Sequence, residues 1–209
     1  MSQPIGTVIP TLDGPVLSVL ARTELPLTGR KVHQLAAGGS ESGTRKVLRR
    51  LARTGLVTAT EVGASIQYAL NREHLAAAAV LELTGLRQRL FQRIRSAIEQ
   101  WSLKPTHASI FGSTARGDGD LDSDVDLLLV HKFTDPPDAW VRQVGELGEQ
   151  VYAWTGNHLQ TYELSETELA AHLQAGEPIV KDWVRDGVTV LEPDFRSLRA
   201  RIIREVMPR

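Results

Sequence analysis

Ile110-Phe111-Gly112-Ser113-Thr114-Ala115-Arg116-Gly117, followed after Asp118 to Asp122 by Ser123-Asp124-Val125-Asp126-Leu127-Leu128-Leu129-Val130, is the stretch on which the fold turns. The run from His107 to Phe111 predicts a strand that delivers Gly112-Ser113 to a tight turn. Glycine there lets backbone approach a ligand with no Cβ in the way. The backbone N–H groups of the short helix that follows, with the Ser113 hydroxyl, can hold an anion such as a phosphate. Asp124 and Asp126 then open a second apolar strand, 125–131. Side chains two apart on a strand point the same way, so the two carboxylates share a face. Beside a phosphate cradle they form a hard-oxygen site suited to Mg²⁺ (or Mn²⁺) carrying a nucleoside triphosphate. Two such metals can clamp an in-line phosphoryl displacement. A Gly-Ser turn or an Asp-x-Asp alone is commonplace; both in this order between two strands are far more specific.

Gly112-Ser113, Arg116-Gly117 and Ser123-Asp124-Val125-Asp126-Leu127 resemble the signature of the polymerase-β-type nucleotidyltransferase superfamily in its minimal form, over roughly residues 104 to 192. The resemblance implies Gly112 and Ser113 on the triphosphate, with Arg116 and Ser123 beside the nucleotide. It also implies Asp124 and Asp126 as metal ligands and catalytic acids. Members of the superfamily usually carry a third carboxylate on the next strand, which readies the acceptor hydroxyl. That strand is expected over His158–Leu164, and its pattern puts Gln160 at the position. A neutral amide takes up no proton and is a poor Mg²⁺ ligand. Glu163 is the only acid on the strand, and alternation points it to the other face; a bulge or a one-residue slip would bring it back as a catalytic residue.

Outward from this centre, the 209 residues allow one large domain or two small ones. The chain has no Cys, which excludes disulfides and thiolate metal sites. No apolar run approaches the roughly 20 residues of a membrane helix. Met1-Ser2-Gln3-Pro4 lacks the character of a signal peptide, so a cytoplasmic protein with no membrane partner is expected. The net charge of −1 conceals 13 basic against 7 acidic side chains in residues 1–100, and 11 against 18 in the rest. Two domains with different partners follow, the basic one facing a polyanion.

Residues 1–12 show little pattern. Asp13 is expected to cap a helix through Val16, Leu17, Val19 and Leu20. Leu25-Pro26-Leu27 breaks it, and Thr28 caps a second through Val32, Leu35 and Ala36. A third starts at Ser40 or Ser42, with Val47, Leu48 and Leu51 on its apolar face, and Gly55 ends it. Leu56–Thr60 and the alternating Ser65–Leu70 flank a Val62-Gly63-Ala64 turn. Three helices and a hairpin resemble a winged helix-turn-helix of bacterial transcription regulators. The remaining face of the third helix carries Thr44, Arg45, Lys46, Arg49, Arg50 and Arg53, the composition of a helix lying in a major groove of double-stranded DNA. Thr44, Arg45 and Arg49 are expected near bases, Arg50 and Arg53 near phosphates.

A long helix is expected from about His74 to Trp101, with a kink at Gly85. It either connects two domains or forms a dimer seam, or it packs against the C-terminal domain. The expected division is 1–73 winged helix-turn-helix, 74–103 connecting helix, and 104–209 an α+β nucleotidyltransferase-like domain with a mixed sheet, α/β overall. In the second half Asp135-Pro136-Pro137-Asp138 is expected to cap a helix through Trp154. Ser165 and Glu168 form a capping box, a helix covers 177–186, a strand 188–191, and a last helix runs from Phe195 to Met207. Acids in 118–122 either collect a cation or form a solvated loop tip.

Two functions are compatible with this. One is a DNA-binding transcription regulator whose nucleotidyltransferase-like domain binds Mg-NTP as a sensor, with a homodimer suited to two half-sites. The other is an active enzyme that transfers a nucleoside monophosphate to a protein, RNA or small-molecule hydroxyl. Small nucleotidyltransferases also resemble antitoxins of two-gene modules, some of which modify a partner toxin with AMP, so a toxin or modification target is a candidate partner protein.

Overall fold

The computed structural model describes residues 4–36, 38–119 and 123–206. The chain divides between Arg87 and Gln88 into two compact units. That boundary falls inside the expected connecting helix. The described residues do not form one helix there: α5 (Ala77–Thr84) ends where the Gly85 N–H turns back to the carbonyls of Leu81 and Glu82. A new helix starts at Leu86. Glycine costs a helix interior about 1 kcal/mol against alanine, and Gly85 here ends one helix rather than kinking a continuous one.

The first unit holds α1 (Ile5–Val8), α2 (Asp13–Ala21), β1 (Leu27–Thr28), α3 (Gly29–Ala36), α4 (Glu41–Arg53), β2 (Val57–Val62), β3 (Ser65–Leu70) and α5. Its core joins Val16, Leu17 and Leu20 of α2 to Val32, Leu48, Leu51, Val57, Tyr68 and Leu70. Two short elements escape the pattern. Ile5, in the expected lead-in, is 2% exposed and belongs to this core. Leu27 and Thr28 pair with Tyr68 and Gln67, giving a three-stranded antiparallel sheet ordered β1-β3-β2. Ser40 caps α4, its Oγ accepting from Gly43 N at 3.0 Å. Asp13 lies inside the first turn of α2 rather than at its cap, accepting from the Thr11 hydroxyl.

The second unit is built on a mixed sheet ordered β6-β5-β4-β7. Its elements are α6 (Leu86–Glu99), β4 (His107–Phe111), α7 (Gly112–Arg116), β5 (Val125–His131), α8 (Asp138–Thr155), β6 (Leu159–Ser165), α9 (Glu166–Ala175), α10 (Pro178–Asp186), β7 (Val188–Leu191) and α11 (Phe195–Val206). β5 and β6 are parallel, joined through α8, and the other pairs are antiparallel. Alternation along β5 sorts the two cores. Val125, Leu127 and Leu129 pack with Ile94, Ile98, Trp140 and Leu147 of α6 and α8. Leu128 and Val130 pack with Leu169, Trp183, Leu198 and Ile202 of α9, α10 and α11. Asp126, in phase with Leu128, therefore opens toward the second face.

Ser165 and Glu168 form the expected capping box, each satisfying the other's backbone N–H. Within the expected capping stretch 135–138, Pro137 takes the N-cap position of α8 and Asp138 is its first residue. Next to the capping box, Glu166 accepts from Arg201 of α11 at 2.9 and 3.2 Å. The Arg201 guanidinium holds its carboxyl below the usual range. A lowered folded-state pKa contributes stability that is present above the unfolded value, near 4.3, and is lost as pH falls through the folded value. Glu166→Gln is expected to cost about 1 kcal/mol at pH 7 and to flatten the acid-induced fall in melting temperature below pH ~5. Thermal melts of both proteins from pH 7 to 3 check this.

Candidate functional site

The end of β4 and the start of β5 lie side by side, with Phe111 the register partner of Asp126. Gly112 follows at φ +67°, a left-handed conformation that favours glycine. A Cβ at Gly112 would lie 2.2 Å from Asp126 Oδ2. The turn is thus open to the carboxylate because it carries no side chain. α7 is a single turn that closes through Gly117 N donating to Ser113 O at 2.8 Å. Beneath it Thr114, fully buried, donates from its hydroxyl to the Asp124 carbonyl at 3.2 Å. The acidic lip is pinned from the other side as well. Asn157 Nδ2 donates to Ser123 O at 3.2 Å, and Val125 N donates to His158 O at 2.8 Å. The candidate residues Gly112, Ser113, Asp124 and Asp126 are therefore held on a rigid strand–turn–strand frame, and the Ser123 carbonyl belongs to it. Asp120 and Asp122 of the acidic loop lie outside the described residues.

Asp124 is exposed and Asp126 half-buried. Burial, then the neighbouring Asp124 charge, raises the Asp126 carboxyl above its ordinary value, and Arg116 opposes the shift. Two like charges kept together at a cost mark a candidate functional site. Among the described residues no group of three or more His, Cys, Asp or Glu side chains could hold a metal. Two carboxylates beside an open turn suit Mg²⁺, which is commonly bound through one or two carboxylates with the remaining ligands drawn from water and phosphate oxygens. Asp124 and Asp126 would hold it, and the ion would supply charge neutralisation for a polyphosphate.

Gln160 is the register partner of Asp126 on β6, so the strand carries an amide where a third carboxylate would stand. Glu163 is displaced from the site, and no bulge brings it back: the β5–β6 register is unbroken from Val125–Leu159 to His131–Ser165. Its phase puts it with Leu129 on the α8 side, where it accepts from Trp140 Nε1 at 2.7 Å and from the Thr161 hydroxyl at 3.1 Å. Thr114, Asn157 and Asp186, which accepts from Arg116 NH1 at 2.7 Å, make contacts that the sequence does not announce.

On the first unit the basic residues of α4 separate into groups. Arg45 and Arg49 line a cavity of about 480 Å³ with Arg30 of α3, Thr28, Ser65 and Tyr68. Arg45 is also paired with Glu41 one turn back. Lys46 and Arg53 are exposed. One expected contact is corrected. Thr44 is 0% exposed, its hydroxyl donating to Ser40 O and lying 3.2 Å from His33 Nδ1, so it reaches no base. This follows from the helix phase: the buried stripe is Thr44, Leu48 and Leu51, with Val47 at its edge, so Thr44 points inward. Arg50 is ion-paired with Asp13 of α2 while its side chain stays 55% exposed.

Residues 92–178 match the family model described as "Nucleotidyltransferase domain", and the second unit accordingly carries a nucleotidyltransferase domain. A solved structure, "Crystal structure of the toxin-antitoxin with AMP-PNP", is similar at 14% identity and a TM-score of 0.38, covering 56% of this chain and 83% of that one. No curated protein matches the chain. Among the described residues no helix is long and apolar enough to cross a membrane.

Proposed function

We propose that this protein is a DNA-binding regulator whose nucleotidyltransferase domain binds Mg-NTP as a sensed ligand rather than as a substrate. The pairing of Gln160 with Asp126 carries this reading. The Gly112 turn and the two aspartates supply the groups that a metal–phosphate site needs. The base that would activate an acceptor hydroxyl is absent from the neighbouring strand position, and the strand's one acid is engaged by Trp140. Ser113 and the backbone of the turn take phosphate oxygens, Arg116 balances their charge, and Asp124 with Asp126 hold the ion. Calorimetric titration of the full chain with each NTP, with and without Mg²⁺, tests the binding step. Saturable binding that requires the ion supports the reading, and absence of binding refutes it.

The regulatory half rests on the resemblance of α2–α4 and the hairpin to a winged helix-turn-helix, with the basic cavity between α3, α4 and the hairpin as support. Double-stranded DNA would enter with Arg45 and Arg49 toward base edges and Arg30 toward a phosphate, as a homodimer on paired half-sites. Replacing Arg30, Arg45 and Arg49 together with Ala is expected to lower DNA affinity by at least about a hundredfold at 0.1 M salt. The slope of log affinity against log salt should flatten by about 0.9 per lost phosphate contact. Fluorescence anisotropy over a salt series measures both, and unchanged affinity would remove DNA from this face.

Active transfer is the second reading. The intact Gly112–Asp126 packing and the family match favour it. It needs a base from the acceptor or a partner protein, as in the antitoxin role that the resemblance implies.

A further inference from the structure

Arg116 ends α7, and its guanidinium is held on two sides. Nε donates to Asp118 at 2.9 Å and NH1 donates to Asp186 Oδ2 at 2.7 Å. The two acids differ. Asp118 is an exposed neighbour two residues away, whereas the Asp186 side chain is 5% exposed and comes from the last turn of α10, seventy residues on. Asp186 is fixed in turn. Arg185 donates to both of its oxygens at 2.7 and 2.8 Å and is itself tied to Asp182 at 2.8 Å. The next residues bind Asp186 to the site's own sheet. A Cβ at Gly187 would lie 2.3 Å from the Trp183 carbonyl, so the chain turns tightly there, and Val188 pairs with Ile110 two residues before Gly112. The family match ends at residue 178, before Asp182, Arg185 and Asp186.

A surface arginine paired with a single exposed acid contributes little. A chain Asp182–Arg185–Asp186–Arg116, whose Asp186 carboxylate is shielded between two guanidinium groups and aimed at an arginine beside the two candidate metal-site aspartates, is a different arrangement. Arginine has five donors, and the Asp118 and Asp186 bonds use two of them. A guanidinium already fixed in place loses less freedom when it takes a phosphate. We propose that Asp186 is a positioning residue that sets Arg116 toward the phosphates of the bound nucleotide. The inference rests on the Mg-NTP reading above and adds a residue from outside the nucleotidyltransferase match. Asp186 touches no ligand; it acts through Arg116.

A double-mutant cycle on the full chain tests this, with affinity measured by calorimetry for the Mg-NTP that the wild type binds most tightly, and for its monophosphate. Asp186→Asn is expected to weaken the triphosphate about tenfold and the monophosphate less. In an Arg116→Ala background it should have no further effect, and Asp186→Glu should recover part of the loss. Glu166→Gln, which breaks the pair between Glu166 at the start of α9 and Arg201 in the middle of α11, should leave affinity unchanged. If Asp186→Asn does not fold, Arg185→Ala, at a side chain 63% exposed, loosens the same carboxylate. It should then give a smaller loss that again vanishes with Arg116→Ala. Unchanged affinity in the Asp186 or Arg185 variant, or an equal loss with and without Arg116, overturns the positioning role and leaves the Mg-NTP reading standing. A wild type that binds no Mg-NTP overturns both.

Discussion

Gly112→Ala is expected to abolish Mg-NTP binding while leaving the second unit folded. The added Cβ would lie 2.2 Å from Asp126 Oδ2 and 3.1 Å from its Cγ, far inside van der Waals contact. The cheapest relief is rotation of the Asp126 carboxylate, since its far end is a flexible side chain and the backbone on both sides is locked. Phe111 is in register with Asp126, and Thr114 holds the Asp124 carbonyl. The carboxylate therefore moves and the frame stays. A displacement of about 1 Å costs on the order of a hundredfold where geometry decides the interaction. Alanine at φ +67° adds about 1–2 kcal/mol of backbone strain, so the melting temperature should fall by several degrees. Calorimetry and a thermal melt on the same sample separate the two effects. Wild-type affinity in the variant would mean that the ligand does not approach this turn.

Asp124→Asn with Asp126→Asn removes both charges and is expected to eliminate Mg²⁺-dependent NTP binding altogether. The expected stability change has the opposite sign to that of Gly112→Ala. Asp126 is held with its carboxyl raised, first by burial and then by Asp124, so its charged form at neutral pH is maintained against the preference of the fold. An uncharged amide of the same size relieves that. The bond from Thr114 goes to the Asp124 backbone and survives the substitution. The double variant should melt at or above the wild-type temperature while losing its ligand. Stability gained as binding is lost marks residues kept for a site. A double variant that melts lower and still binds NTP would identify the pair as structural.

The centre of this site was legible because each of its signals is short-range. Strand, glycine turn and Asp-x-Asp lie within twenty residues, and the period-two phase that put Asp124 with Asp126 also put Gln160 beside them and Glu163 away. The Trp140 indole that captures Glu163 comes from a helix whose apolar stripe shows that it packs, but not which atom its nitrogen meets. On α4 polarity misled where phase did not. Thr44 stands three and four residues before Val47 and Leu48 and so shares their buried face, and its hydroxyl is accommodated in the interior by the Ser40 carbonyl and His33. The Asp13 partner of Arg50 lies in another helix and leaves no local trace. β1 has two residues and no period to detect. Asp186 is the extreme case: its importance lies in a contact seventy residues away, and in sequence it is one acid in a charged helix end.

On the sensor reading, the Mg-NTP site binds nucleotide without transferring it. Incubation of the full chain with each α-labelled NTP and Mg²⁺, beside a host lysate as a source of acceptors, tests it most directly, with the Asp124/Asp126 double variant run in parallel. Saturable, ion-dependent retention of label on the wild type is expected, with no label covalently attached to any macromolecule. Label transferred to a protein or RNA by the wild type and not by the double variant would contradict it, and would show that the chain completes the reaction with Gln160 in place.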